Sequence, residues 1–238
     1  MIRNLSLTAL AGLVLVACQS TQNVASAEER DYKVGGFTAV DAAAGLDVNI
    51  TTGRSHSVTV SNPKGEFDDI TIEVRGNTLV LKRPQRSWGS SWNRRKPYQV
   101  TVTAPQIDTI EASSGSDVTA EGLSGDRVRL KVSSGADLTV TAIDAKRVSL
   151  SSSSGSDLSA SGRCTAVDAD SSSGSDIEAR GLKCATGEAD ASSGSDITLH
   201  VTKALKADVS SGADVIVYGG PSETYIDKSS GGEVRVRG

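Results

Sequence analysis

Six aspartates and one glutamate recur at near-constant spacing through the second half of the chain: Asp117, Asp137, Asp157, Asp176, Asp196, Asp214 and Glu233. Stacked carboxylates repel one another, and a hard divalent cation such as calcium would relieve that repulsion. Each acid closes the signature Ser-Ser-Gly-(Ser/Ala/Gly)-(Asp/Glu), whose glycines are Gly115, Gly135, Gly155, Gly174, Gly194, Gly212 and Gly231. The signature has one glycine where calcium-binding β-rolls have Gly-Gly-x-Gly-x-Asp. An aspartate after a glycine corner can also accept backbone N–H groups in an Asx turn. The turn is the expected role and calcium the alternative; no cofactor is expected.

Two further groups could do chemistry. Cys164 and Cys184 each lie eight residues before the first serine of the next signature, so they share a position on successive repeats. Stacked strands stand about 4.8 Å apart, within disulfide range, which leaves either a bridge or two stacked thiols. No histidine or further cysteine shares their register to complete a metal set. The segment from Arg83 to Pro97 carries five positive charges, no acid and both tryptophans. Arg86, Arg94, Arg95 and Lys96 with Trp88 and Trp92 suit anionic headgroups, lipopolysaccharide or an acidic glycan. The structural alternative is an insertion whose tryptophans cover one side of the fold.

Catalysis finds no constellation. His56 and His200 have no visible partners, aromatics are 3% of the chain, and the acids recur in every repeat instead of clustering. We therefore expect no enzyme, with a polysaccharide-active one as the alternative class.

The glycine intervals of 20, 20, 19, 20, 18 and 19 residues predict a stacked solenoid, because such a period is one structural unit repeated. After each acid comes an apolar residue, from Val118 and Leu138 to Val215 and Val234, and the alternation that follows reads as a strand with one face inward. A second alternating strand, as in Val128-Arg129-Leu130-Lys131-Val132, runs into the next signature. Continuing its parity turns the second serine of each signature inward, as at Ser114 and Ser134, and the first outward. Seven signatures span roughly 29 Å at about 4.8 Å per step. The last edge, Val234-Arg235-Val236-Arg237, is short and basic, which opposes end-to-end association.

Residues 31–104 carry a charge balance of +3 and residues 105–238 one of −7. An acidic array lacks the basic face that nucleic acid requires. Ala43-Ala44-Gly45-Leu46-Asp47-Val48-Asn49-Ile50 aligns with Ser113-Ser114-Gly115-Ser116-Asp117-Val118-Thr119-Ala120, so the first half holds a degenerate copy of the repeat. Gly76 precedes Gly115 by about two periods, which predicts irregular coils between. Residues 31–104 thus read as divergent N-terminal coils with the basic Trp loop at 83–97, and 105–238 as the regular array.

Residues 1–17 combine Arg3 with an apolar run from Leu5 to Val16, too short to span a bilayer, and read as a signal peptide. Leu15-Val16-Ala17-Cys18 resembles the bacterial lipobox. That resemblance implies cleavage before Cys18 and acylation of its thiol, each buried methylene adding roughly 0.8 kcal/mol of membrane affinity. Gln19, in place of Asp, implies the outer membrane. Residues 18–30 then form the lipidated cysteine and a polar tether.

Three stretches carry a family resemblance: Phe37-Thr38-Ala39-Val40 with Gly45-Leu46-Asp47-Val48, then Val74-Arg75-Gly76-Asn77-Thr78-Leu79-Val80-Leu81, then the Ser-Ser-Gly-(Ser/Ala)-Asp repeats. From Phe37 to Gly238 the chain resembles the bacterial "putative auto-transporter adhesin, head GIN domain" family. The resemblance implies an all-β, right-handed parallel β-helix of 19–20 residues per coil on a secreted or lipid-anchored protein. A non-catalytic envelope module follows, bound to the membrane by its anchor and to an envelope glycan, lipopolysaccharide or another envelope protein.

Overall fold

The computed structural model describes residues 27–84 and 96–238, and among them there is no helix. The strands are β1 (Glu28–Tyr32), β2 (Ala39–Ala43), β3 (Asp47–Thr52), β4 (Ser57–Asn62), β5 (Thr71–Arg75), β6 (Thr78–Lys82), β7 (Gln99–Ala104), β8 (Thr109–Ser113) and β9 (Asp117–Glu121). They continue as β10 (Ser124–Ser133), β11 (Asp137–Ser153), β12 (Asp157–Ser172), β13 (Asp176–Ser192), β14 (Asp196–Val209), β15 (Asp214–Tyr218), β16 (Glu223–Lys228) and β17 (Glu233–Arg237).

Parallel, in-register pairing makes these strands a β-solenoid. Asp137 lies beside Asp117 and Asp157, Asp176 beside Asp157 and Asp196, and Asp214 beside Asp196 and Glu233. Each regular coil has three sides: one after the acid, a short second, and a third that leads into the next signature. Long strands such as β11 bend through these corners, with a register shift between Val140 and Ile143 and a positive φ of 56° at Ala142. The core is a set of apolar columns, one residue per coil. Val118, Leu138, Leu158, Ile177, Ile197 and Val215 form one, and Leu130, Leu150, Ala169, Ala189 and Ala207 another. One coil alone would leave these residues half-covered, so stability comes from the stack.

The signature corner differs from its expected form. Ser114, Ser134, Ser154, Ser173, Ser193 and Ser211 are exposed and adopt positive φ between 54° and 61°, and the glycine after each is also left-handed. Two successive left-handed residues reset the strand alternation. The inward residue is consequently the one after the glycine, Ser116, Ala136, Ser156, Ser175, Ser195 or Ala213. That residue, where it is serine, also locks the corner, the role assigned to the acid on sequence. Ser156 Oγ donates to Ser153 O at 2.8 Å and Ser175 Oγ to Ser172 O at 2.8 Å. Ser152 and Ser171 extend this into a buried hydroxyl cluster against Ser156 and Ser175, and no buried side-chain polar atom among the described residues lacks a partner.

The N-terminal half stacks out of sequence order. β2 and β3 lie directly on β8 and β9, with Asp47 beside Asp117, as the internal alignment predicts. The other face of that coil is covered by β6 and β7, which come later in the chain. The expected irregular coils between Gly76 and Gly115 are therefore an end coil plus a cap. β5 runs antiparallel to β6, with Gly76 in their turn, while β4 runs antiparallel to β7 and β1 to β4. Antiparallel strands end the parallel ladder at this end of the array.

Candidate functional site

The basic Trp loop leaves and re-enters the fold at this capped end. Its flanks are described, whereas Arg86, Trp88, Trp92, Arg94 and Arg95 lie outside the described residues. Arg83, at the end of β6, is almost fully buried. Its Nη1 donates to Asp69 Oδ2 at 3.0 Å, its Nε to Ala44 O at 2.9 Å, and its Nη2 to Lys96 O at 2.8 Å and Gly45 O at 3.3 Å. The guanidinium also sits 5.1 Å from the Tyr98 ring centroid. Tyr98 Oη donates to Glu66 O at 2.9 Å and accepts from the Asp69 N–H at 3.3 Å. Burial raises its phenol pKa, which keeps it a neutral donor. One buried arginine thus clamps both flanks of the loop.

Lys96 belongs to the same knot. Its ammonium bridges Asp68 and Glu66, and these hydrogen bonds, Asp68 first, raise its pKa. Of the five charges of the 83–97 segment, Arg83 and Lys96 are therefore held internally, and Arg86, Arg94 and Arg95 carry the basic character of the loop. β1 meets this knot too. The guanidinium of Arg30 lies 4.4 Å from the Phe67 ring centroid, and Arg30, Glu66, Phe67, Asp68 and Lys96 line one shallow depression of ≈ 480 Å³.

A second candidate is the acidic column. With Asp47 it comprises eight carboxylates in register on the outer first side. Burial, then Asp157 and Asp117, raises the pKa of Asp137; burial, then Asp176 and Asp214, raises that of Asp196. The column is linear, and among the described residues no group of three or more His, Cys, Asp or Glu converges to hold a metal ion. The third side has its own acids. Asp170 and Asp190 lie in adjacent coils, with pKa values raised first by burial and then by neighbouring carboxylates. Asp170, Asp190, Asp208 and several serines line a shallow depression of ≈ 370 Å³.

A carboxylate whose folded pKa lies above its unfolded value of 3.8 opposes folding while ionised, and the cost fades as pH falls through the folded pKa. Stability should therefore rise as pH falls from neutrality through the folded pKa values of these carboxylates, and fall again only in stronger acid. There Asp126 and Asp144 lose the hydrogen bonds from Lys146 and Arg163 that lower their pKa values. Replacing Asp137 with Asn should add roughly 0.5–1 kcal/mol at pH 7, the size of two relieved like-charge pairs, and flatten the rise. Thermal denaturation at pH 7 and pH 5 checks this; an Asn variant that melts lower at pH 7 sinks it.

Cys164 and Cys184 are joined by a disulfide between adjacent coils, with Cα atoms 4.6 Å apart. His56 lies against the Phe37 ring and within hydrogen-bond distance of the Phe37 backbone N and O, and His200 packs under Gly219. Cys18 lies outside the described residues. Sequence reasoning missed Asp69 and the internal role of Arg83; their only trace is a charge beside Pro84 at the end of a strongly apolar strand.

Solved structures share this architecture. A "putative adhesin" from Bacteroides fragilis is 22% identical, with a TM-score of 0.81 over 88% of this chain and 96% of its own. A "putative lipid binding protein" from Parabacteroides distasonis and a "putative adhesin" from Parabacteroides merdae are each 14% identical, with TM-scores of 0.68 over 90% of this chain and 97% of theirs. At these identities the likeness concerns the fold. No curated protein matches the chain. Residues 36–221, most of the sequence, match the family described as "Putative auto-transporter adhesin, head GIN domain", and the chain belongs to that family.

Proposed function

We propose that this chain is a non-catalytic, adhesin-like binding module of the bacterial envelope, anchored in the outer membrane by an acylated Cys18 and touching an anionic surface through the loop at residues 85–95. One observation carries the reading. β1, whose residues Glu28–Arg30 are paired with β4 and so shorten the tether expected over residues 18–30, and both flanks of the loop enter the same knot around Arg83, Lys96, Glu66 and Phe67. The anchor and the Trp-Arg loop therefore leave the solenoid at one end, so an anchored molecule presents that loop to its own membrane. Arginine supplies attraction to phosphate and tryptophan an amphipathic ring suited to the interface. The acidic array then points away from the lipid, as charge repulsion favours.

Vesicle co-sedimentation tests this. The chain carrying Cys18→Ser should bind vesicles containing anionic lipid more tightly than neutral ones, and raising salt should weaken the binding. Trp88→Ala with Trp92→Ala should reduce it at least about tenfold, since each membrane-facing ring contributes on the order of 1 kcal/mol. Equal binding by the double variant removes the loop from the function. No observation among the described residues favours the alternative of a polysaccharide-active enzyme.

A further inference from the structure

We propose that the C-terminal end of the solenoid is a self-association surface on which a second copy of this chain docks tail to tail. The two ends are built differently. The N-terminal end is closed by the antiparallel strands β1, β4 and β5. At the other end, among the described residues, β16 pairs only with β14 and β17 only with β15, leaving one edge of each strand with open backbone donors and acceptors. The large hydrophobic side chains exposed among the described residues, Tyr225 (66%), Ile226 (38%) and Val236 (43%), all lie on these two strands. Exposed apolar groups beside a free strand edge are the features of a surface that pairs.

Charge selects the partner. Register with the buried columns of β14 and β15 puts Glu223, Tyr225 and Asp227 of β16 outward, and Glu233, Arg235 and Arg237 of β17. One outer row is acidic and the other mainly basic. The basic edge of β17 would repel its own copy. A twofold axis through the corner between β16 and β17 instead lays β17 of one copy antiparallel on β16 of the other. Outward residues then face outward ones, and one register sets Asp227 against Arg235, Tyr225 against Arg237 and Ile226 against Val236 of the second copy, with no like-charge pair. Moving β17 by two residues sets Asp227 against Glu233, so charge also fixes the register. Among the described residues Glu223, Asp227 and Arg237 have no ion pair within the chain, while Arg235 is shared between Glu233 and Asp214. The interface is isologous and closes at two copies, which stops it from growing into a fibre. It directs the two N-terminal ends in opposite directions. If the anchored reading above also holds, the pair joins two surfaces; the pairing itself does not depend on the anchor.

Sedimentation velocity on the chain carrying Cys18→Ser tests the pairing without lipid. We expect a concentration-dependent monomer–dimer equilibrium with no higher species. Asp227→Arg should weaken the dimer at least about tenfold, because it creates two like-charge contacts. Adding Arg235→Asp to that variant should restore it by exchanging the charges. Both positions are exposed, so a retained cooperative thermal transition confirms that folding is intact, even though Arg235→Asp gives up the ion pairs with Glu233 and Asp214. A chain that stays monomeric at every concentration overturns the proposal. So does a dimer that survives Asp227→Arg, or one that the charge exchange fails to rescue.

Discussion

Replacing Arg83 with Leu should remove about 3–5 kcal/mol of stability at pH 7, measured by chemical denaturation, a large share of what a domain of this size holds. The side chain is nearly buried and satisfies three backbone carbonyls, on Ala44, Gly45 and Lys96, besides the carboxylate of Asp69. Leucine fills most of the volume, so the loss is electrostatic. It takes the Arg83 guanidinium away from the Asp69 carboxylate, which is 3% exposed, and it strips donors from carbonyls that water cannot readily reach. Arg83→Lys should recover only part, because one ammonium cannot serve four acceptors spread around a planar fork. The double change Arg83→Leu with Asp69→Leu should regain a measurable share by removing the buried carboxylate that Arg83 served. A loss below about 1 kcal/mol for Arg83→Leu would mean that the knot does not hold the capped end. Because Lys96 O is one of the four acceptors, the same variant should also loosen the loop's return and weaken vesicle binding, if the loop acts as proposed.

The solenoid was legible because its signature recurs in Ser, Gly and Asp at one spacing, and because each acid is followed by an apolar residue such as Leu138 or Ile177. Even the weak match of Ala43–Ile50 to Ser113–Ala120 located Asp47 at the head of the acidic column. The inward position of the corner was not legible. Parity counted from Val132 through Lys131 and Ser133 holds only while the backbone stays extended, and at Ser134 and Gly135 two left-handed residues turn it. Ala136, and not Ser134, therefore enters the core, and Ser156 Oγ takes the locking role that the aspartate had been given.

The capped end escaped for a different reason. Along the axis β6 and β7 precede β2 and β3, the reverse of their order in the chain, and no local pattern encodes which face of a coil a later segment will cover. Asp69 and Arg83 meet because they flank the open end of the antiparallel β5–β6 hairpin, fourteen residues apart in sequence, where Thr71 stands opposite Lys82. Lys96 was read as a ligand contact because its partners Glu66 and Asp68 lie on a loop that the sequence gives no cause to place beside it. The third-side acids Asp170, Asp190 and Asp208 sit outside the signature, so a reading built on the signature passed over them.

Gly162→Ala should cost about 3 kcal/mol or more, whereas Gly174→Ala should cost about 1 kcal/mol, although both glycines have positive φ. Gly174 stands at a signature corner with φ of 64°, and a Cβ added there would meet nothing within 4 Å. Its alanine variant bears only the left-handed penalty. Gly162 has φ of 138°, and its Cβ would lie 2.2 Å from the carbonyl oxygen and 2.5 Å from the nitrogen of Ile143 in the neighbouring coil. Those atoms are backbone and cannot rotate aside. Relief would require the two coils to separate where Ile143, Gly162 and Leu182 stack, two residues from the disulfide that ties Cys164 to Cys184. The disulfide stops the coils after the clash from shifting register, so the strain falls on the β11–β12 ladder. In a solenoid each coil is held by its two neighbours, and weakening one interface uncouples what lies on either side. The alanine variant should thus unfold with a lower denaturant slope as well as a lower midpoint, the C-terminal coils melting apart from the capped end. A loss at Gly162 equal to that at Gly174, with an unchanged slope, would show that the coils can yield at this point and that stacking there is looser than the 2.2 Å approach requires.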